Sequence, residues 1–200
     1  MAYHHGNLRQ ALVQAGLDIL AEEGPQALTL RGCAARVGVS HSAPKNHFEN
    51  LERLTAAICA EGHRRLSARM REMMAHAEPT PRAQLVAAAK GYVAFALDHP
   101  NLFRLTFAHP AATEFDPERR AAGEDAYAIL RSVCAPLAAR LNGAPVPRSI
   151  VETMVWSFVH GYAALAVTDR LRRVEADIGH IPRIEEVMPD FEFEEGVSGE

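Results

Sequence analysis

Apolar residues recur at spacings of three and four along most of the chain, which is the period of helices with one buried face. The first such stripe consists of Leu8, Leu12, Ala15, Ile19 and Leu20. Gly24-Pro25 ends it, so the pattern predicts a first helix over about residues 7–23. No segment shows the alternation bounded by turn dipeptides that is typical of paired strands. We therefore predict an all-α protein.

Two short helices joined by a glycine turn are predicted for residues 28–48. Thr29 is the expected N-cap of the first, over residues 30–36, and Gly38 gives the backbone freedom for a tight turn. Ser40 is expected to cap the second, which carries Pro44 within its first turn. This is the layout of a helix-turn-helix, which places one helix in the major groove of DNA.

Later helices are marked by prolines at or near their first positions, where a missing N–H costs little. After a long helix over residues 51–76, the pattern predicts helices at about 81–98, 100–109, 117–141 and 147–172. We expect a three-helix domain over 1–50, the linking helix over 51–76, a helical domain over 77–184 and an acidic tail over 185–200. The tail has too little patterned apolar content to fold alone, so we expect it to be loosely docked or disordered.

The segment 150–168 is apolar nearly all round, interrupted only by scattered polar residues. Such a helix must be covered on every face, and one chain of this size offers cover on one side. A symmetric dimer is the economical solution, with the 117–141 helix beside the 147–172 helix in a four-helix interface. The alternative is a fully enclosed central helix in a monomer.

Charge is unevenly distributed along the chain, whose formal net charge is −4 at pH 7. Seven acidic residues and no Lys or Arg lie between Glu185 and the C-terminus, whereas no acid lies between Gly24 and Phe48. The second window is therefore a modest basic patch, as nucleic-acid modules carry. No signal peptide and no apolar run of roughly 18 residues is seen, so we expect a cytoplasmic protein without a membrane partner.

Reactive and metal-binding residue types show no spacing that indicates chemistry. The widely spaced Cys33, Cys59 and Cys134 are expected to be reduced core residues. No two histidines are three or four residues apart, so no metal site and no cofactor is expected. No nucleophile and base pair at useful spacing and no glycine-rich phosphate loop occurs, so no catalytic residue is expected. An enzyme is the alternative class of protein, for which Ser157 and His160 give only weak support as a nucleophile and a base.

The helix-turn-helix segment resembles the TetR family of one-component bacterial transcription regulators. The matching residues are Leu30-Arg31 through Ala34, Val37-Gly38-Val39-Ser40, Ser42-Ala43-Pro44 and His47-Phe48. Trp156-Ser157-Phe158-Val159-His160-Gly161 also resembles a signature of the subgroup whose ligand domain is named for its Trp, His and Gly. The resemblance implies a homodimer that binds a palindromic operator in double-stranded DNA, and a small-molecule effector that weakens this binding, so that the chain is expected to be a ligand-responsive repressor.

Two positions depart from the family pattern. Lys45 stands where the family usually has a tyrosine that leans on the DNA backbone, and Leu51 where a phosphate-contacting lysine is common. Lysine replaces the phosphate contact through its charge, whereas leucine supplies none. A helical small-molecule-binding protein without specific DNA binding therefore stays a second alternative.

Candidate DNA contacts lie in and around the second short helix. Base-edge and nearby backbone contacts are assigned to His41, Ser42, Lys45 and Asn46, because lysine can donate to guanine and asparagine can pair with adenine. Phosphate contacts are assigned to Thr29, Ser40 and His47, and Arg31 is a further candidate. An ordinary solvated face is the alternative interpretation.

Candidate effector contacts come from four predicted helices of the C-terminal region. Methionines repack around varied ligands, aromatic rings supply contact area, and a Tyr or His can orient a polar group. The candidates are Met70, Met73, Met74, Tyr92, Phe95, Phe103, Phe107, Trp156 and His160. Plain core packing is the alternative for most of them, and a satisfied core histidine is the alternative for His160.

Overall fold

The computed structural model describes residues 8–108, 116–139 and 146–189, and these residues are all-α, as predicted. Nine α-helices lie in the described ranges, with two single 3-10 turns. They are α1 (Leu8–Glu23), α2 (Leu30–Val37), α3 (Leu51–Ala75), α4 (Pro81–Asp98), α5 (Pro100–Ala108), α6 (Pro117–Ala139), α7 (Arg148–Ala166), α8 (Arg172–Ile178) and α9 (Ile184–Val187). The predicted starts of α4, α5 and α6 at prolines are confirmed.

The third predicted helix is wrong in kind, because the chain forms only a 3-10 turn at Ala43–Asn46. Ser40 does not cap it: its hydroxyl lies 3.2 Å from that of Ser42. The physical reason is local, since the carbonyl of Pro44 accepts the N–H groups of both His47 (2.9 Å) and Phe48 (2.8 Å) and closes the turn. Pro44 has no backbone N–H, so it cannot donate a helical hydrogen bond to a preceding carbonyl.

The predicted helix over 147–172 is also wrong in length, because α7 ends at Ala166. Asp169 has φ 58, the left-handed conformation that stops a helix. The N–H of Arg170 then donates to the carbonyl of Leu165 at 3.0 Å, and that of Asp169 to Ala166 at 3.1 Å. This paired closure satisfies the last carbonyls of α7, and α8 starts separately. The end of the predicted 117–141 helix lies outside the described residues.

The start of the predicted acidic tail is folded rather than loose. Ile184 and Met188 are buried, and Glu185 accepts a hydrogen bond from Lys90 of α4 at 3.0 Å. The backbone N–H of Arg183 donates to the Glu186 carboxylate at 2.9 Å and caps α9. The buried side chains of Ile184 and Met188 and the hydrogen bond from Lys90 hold this turn against α4. Residues 190–200 lie outside the described residues.

Contacts divide the chain into two compact units. The first comprises Met1–Arg65 and His99–Glu124, and the second Leu66–Asp98 and Asp125–Glu200. Helices α3 and α6 each contribute residues to both units. The boundaries at 50, 76 and 184 stay a prediction.

In the first unit, α1 packs on α2, α3 and α5. Leu12, Leu20, Leu54 and Ile58 are fully buried. Gly16 lets α3 approach closely, because a Cβ there would lie 2.5 Å from Cδ1 of Ile58. Asn101 of α5 donates to the carbonyl of Leu20 at 2.9 Å, so a polar side chain also ties α5 to the end of α1.

In the second unit, α4 packs against α7 and α9. The buried face of α7 is a stripe at helical spacing, Val151, Val155, Val159 and Ala163. Phe95 and Leu85 of α4 are 1% exposed and belong to the core of this unit. α4 also lies very close to α3, because a Cβ at Gly91 would be 2.6 Å from Cα of Met70 and 2.7 Å from the carbonyl oxygen of Arg69.

The three cysteines are buried and free, as predicted. Burial raises the pKa of Cys33 and Cys59 to about 11 and that of Cys134 to about 12, so the thiols stay protonated. Among the described residues, no group of three His, Cys, Asp or Glu is placed to hold a metal ion. None of the described helices combines the length and apolar character needed to cross a bilayer.

Gly91→Ala is expected to destabilise the protein by about 1–3 kcal/mol, because the added methyl meets backbone atoms that cannot move aside. Urea unfolding measures the change. Gly123→Ala in α6 is the matched control, since the nearest atom to its Cβ would be Nε2 of His63 at an ordinary 3.8 Å. The control is expected to be neutral or slightly stabilising, and equal effects of the two variants would contradict the close approach.

Candidate DNA interface and effector site

The turn between α2 and the following 3-10 turn is built by one cap at each end of α2. The Thr29 hydroxyl accepts the N–H of Gly32 at 2.9 Å, which confirms the predicted N-cap. Gly38 ends α2 with φ 78, a conformation that side chains rarely adopt. The N–H of Val39 then donates back to the carbonyl of Ala34 at 3.0 Å, which fixes the direction in which the chain leaves the helix.

Residues 40–47, here called the recognition segment, are held in place by two buried apolar residues. Pro44, within the segment, is fully buried, and Phe48, directly after it, is 2% exposed. The guanidinium of Arg9 lies over the ring of Phe48, 5.2 Å from its centroid. With its apolar members held in the core, the segment turns its polar side chains to solvent.

All eight predicted DNA-contact residues are exposed on the first unit. They are Thr29, Arg31, Ser40, His41, Ser42, Lys45, Asn46 and His47. Arg36, by contrast, pairs with Glu22. Within the described residues, neither Arg31 nor Lys45 has a carboxylate partner. The arrangement presents uncompensated positive charge and short polar side chains on one acid-free segment.

Leu51 is 38% exposed at the first position of α3 and brings no charge to this surface. The helix start is nevertheless capped, because Asn50 Oδ1 accepts the N–H of Arg53 at 3.0 Å.

The structure distributes the nine effector candidates over both units. Phe103 and Phe107 belong to the first unit, where their rings pack at 5.2 Å and Phe107 also meets the ring of His63 at 5.8 Å. The other seven belong to the second unit. Of these, Met70, Tyr92 and Phe95 are buried, Met73, Met74 and His160 are half-buried, and Trp156 is 43% exposed.

Tyr92 of α4 meets His160 of α7 in the second unit, and Trp156 lies one turn before His160 on α7. The Tyr92 hydroxyl lies 2.8 Å from Nδ1 of His160. Burial raises the pKa of Tyr92, and the nearby Trp156 side chain opposes the rise. Three of the predicted effector residues are thus brought together on α4 and α7.

Burial lowers the pKa of His160, which favours the neutral imidazole at neutral pH. The neutral ring has one N–H and one acceptor nitrogen, so the direction of its hydrogen bond with the Tyr92 hydroxyl is set by the tautomer.

Sequence reasoning missed two members of this neighbourhood, Tyr127 and Glu152. The Tyr127 hydroxyl donates to Oε2 of Glu152 at 2.6 Å, and this bond together with burial raises the pKa of Tyr127. The Tyr127 ring meets the Trp156 ring edge-on, with centroids 6.3 Å apart. A signal was present: Glu152, Trp156 and His160 are spaced four residues apart and form one stripe of α7.

Lowering the pH from about 7.5 to about 5.5 is expected to reduce the free energy of unfolding. The folded state depresses the pKa of His160 below its ordinary value of 6.5, so it binds fewer protons than the unfolded state. The stability is present above pH 6.5 and is lost as the pH falls. His160→Gln should lose less stability over this range in thermal unfolding, whereas His76→Gln, at an exposed histidine that follows α3, should behave as the parent. An unchanged acid loss in His160→Gln would contradict the assignment.

Comparison with known proteins gives a family for the C-terminal part. Residues 85–183 match the family described as "Tetracyclin repressor-like, C-terminal domain". Comparison with curated protein sequences gives no significant match.

Similar solved structures cover nearly the whole chain. A protein of unknown function from Rhodococcus sp. RHA1 is 31% identical, with 86% of this chain and 89% of that chain covered and a TM-score of 0.73. A TetR family transcription regulator from Marinobacter aquaeolei VT8 is 21% identical, with 86% and 90% covered and a TM-score of 0.61. The transcriptional regulator FadR from Bacillus subtilis, in complex with stearoyl-CoA, is 14% identical, with 84% and 94% covered and a TM-score of 0.63. Residues 85–183 are therefore similar to the tetracycline repressor-like C-terminal domain, and the chain shares its fold with solved TetR family regulators.

Proposed function

We propose that the chain is a dimeric, ligand-responsive repressor that binds a palindromic operator and releases it when a small molecule binds the C-terminal domain. The recognition segment carries this proposal. It is exposed and free of acids, and a left-handed glycine turn and two buried anchors, Pro44 and Phe48, hold it in place. Side chains held this way can read base edges, because the reader must be rigid before contact.

Contacts with DNA are proposed for the residues predicted from the sequence. Lys45 and Asn46 contact base edges, with His41 and Ser42 beside them. Phosphate contacts come from Arg31, His47 and the two hydroxyl residues, Thr29 and Ser40. Two half-sites about 34–36 Å apart, or a multiple of that distance, would then match the two-fold symmetry of a dimer.

Dimerisation is proposed through the uncovered face of α7, with α6 beside it. One side of α7 is buried in the second unit, while Ile150 is 56% exposed and Leu165 is 43% exposed on another. Gly161 lies between them in open space, since a Cβ there would meet nothing within 4 Å. A small residue flanked by exposed apolar side chains suits close packing against a second copy.

The effector site is proposed along the α7 stripe that contains Trp156 and His160, facing Tyr92 of α4. The resemblance to the Trp-His-Gly subgroup supports this proposal, because Trp156 and His160 lie on one stripe of α7 and the His160 ring is hydrogen-bonded to Tyr92. FadR in complex with stearoyl-CoA is an example of this fold with a ligand bound. Effector binding would alter the distance between the two recognition segments of the dimer.

Asn46→Ala is expected to weaken operator binding by about 1–3 kcal/mol and to relax preference at one base pair. Arg31→Ala should flatten the slope of log affinity against log salt by about 1, because Arg31 is the arginine proposed to contact a phosphate. Binding is measured by fluorescence anisotropy across a salt series, with the region upstream of the coding sequence and with sequences selected from a random pool. Arg173→Ala is the control, because it removes one positive charge from the second unit.

Absence of salt-dependent, sequence-specific binding to any of these DNAs would contradict the repressor proposal. It would favour a helical small-molecule-binding protein instead. Leu51 gives that second function its support, since no cation stands at the first position of α3.

Gly161→Arg is expected to shift the protein from dimer to monomer in sedimentation at micromolar concentration, because the arginine fits the single chain but not a packed interface. Leu97→Arg is the matched control, since Leu97 is 52% exposed on α4, outside the proposed interface. A parent chain that sediments as a 21.9 kDa monomer would refute the dimer outright. A Gly161→Arg variant that stays dimeric would place the interface elsewhere.

A further inference from the structure

Glu152 is a buried carboxylate of which only one oxygen accepts a hydrogen bond. The residue is 5% exposed, and its Oε2 accepts the Tyr127 hydroxyl at 2.6 Å. Its Oε1 is buried and has no hydrogen-bond partner. In the described part of the chain, no Lys, Arg or His forms an ion pair with it. A buried carboxylate oxygen left this way is costly, so the site is built to receive a donor.

Aromatic rings beside Glu152 favour a positive charge at this place. Tyr127 donates to the carboxylate and packs edge-on against Trp156. The guanidinium of Arg131 already lies 5.4 Å from the centroid of the Tyr127 ring, which shows that the face of this ring accepts a cation. Carboxylate and electron-rich rings together select a cationic group with an apolar body.

The length of the site follows from the spacing on α7. Glu152 and His160 are eight residues apart on one stripe, which corresponds to about 12 Å along the helix axis. Trp156 lies between them and is 43% exposed, so approach to the stripe begins at its ring. One end of the stripe presents the unpartnered carboxylate oxygen, and the other end carries the His160 ring, whose Nδ1 lies 2.8 Å from the Tyr92 hydroxyl.

We propose that the effector is a protonated amine on an apolar or aromatic body, whose ammonium donates to Oε1 of Glu152 and whose body packs on Tyr127 and Trp156. This proposal rests on the effector role of the α7 stripe. It assigns a ligand class to that stripe and a binding role to Glu152 and Tyr127, which the sequence did not single out.

The test uses three matched series of phenylalkyl compounds, with chains of about two to eight carbons, ending in a primary amine, an alcohol or a carboxylate. Trp156 is the only tryptophan of the chain, so its fluorescence reports binding at the site itself. At pH 7 the best amine is expected to bind the full-length protein at least about tenfold more tightly than its alcohol, with the carboxylate weakest. Equal or tighter binding of the alcohols or carboxylates, or no saturable signal with any amine, would overturn the proposal.

Glu152→Gln keeps an acceptor for the Tyr127 hydroxyl and removes the charge, so it should reduce the preference for amines to nearly one. Tyr127→Phe keeps both the ring and the carboxylate, and it should retain the preference. Glu175→Gln on α8 is the matched control for loss of one exposed acid. Thermal unfolding of each variant checks that it is folded. A preference that survives in folded Glu152→Gln would overturn the role of Glu152.

A second copy of the chain is the other occupant that could bring a cation to Glu152. Sedimentation of the same variants separates the two cases: a dimer lost in Glu152→Gln with amine preference unchanged would make Glu152 an interface residue and overturn the proposal. The operator assay separates this proposal from the proposed function. Amine selectivity without DNA binding would refute the repressor alone, whereas operator release by alcohols as readily as by amines would refute the amine class alone.

Discussion

Burial of α7 is the constraint on which the second unit depends. The helix is apolar on almost every side, it packs against α4, and its buried apolar residues form one stripe that starts at Val151. α4 reaches its position because Gly91 lets it lie against the backbone of α3. A methyl group at that point would move α4, and with it the cover of α7 and the hydroxyl of Tyr92. The packing of α4 against α7 and the hydrogen bond between Tyr92 and His160 thus both depend on Gly91.

In residues 29–48, the features that depend on local chemistry were predictable from the sequence. Thr29 caps α2, Gly38 turns the chain, and Phe48 is buried, all as the residue types indicate. The length of the second element was not predictable in this way. A proline is tolerated in the first turn of a longer helix, and only the folded chain shows the carbonyl of Pro44 taking two N–H groups and closing the turn early.

The candidate effector site was predictable where residue type and helical spacing agree, as for Trp156 and His160. Phe103 and Phe107 were chosen by type alone, and they pack on each other and on His63 in the first unit. Glu152 shows the opposite failure. The spacing along α7 indicates that Glu152 shares a stripe with Trp156 and His160. It does not indicate the hydrogen-bond partner of Glu152, because Tyr127 lies on another helix.

The first unit is not one continuous stretch of chain, and this affects the order in which the protein can form. Asn101 donates a hydrogen bond to the end of α1, and Glu118 forms ion pairs with both Arg9 and Arg64. The thiol of Cys59 donates to the carbonyl of Leu105. During synthesis, residues up to Arg65 leave the ribosome before these partners exist. The unit that carries the recognition segment therefore completes its core only after residues 99–124 have been added, when the first part of the other unit has already been made. A nascent or truncated chain would carry the recognition segment on a unit whose hydrophobic core is incomplete.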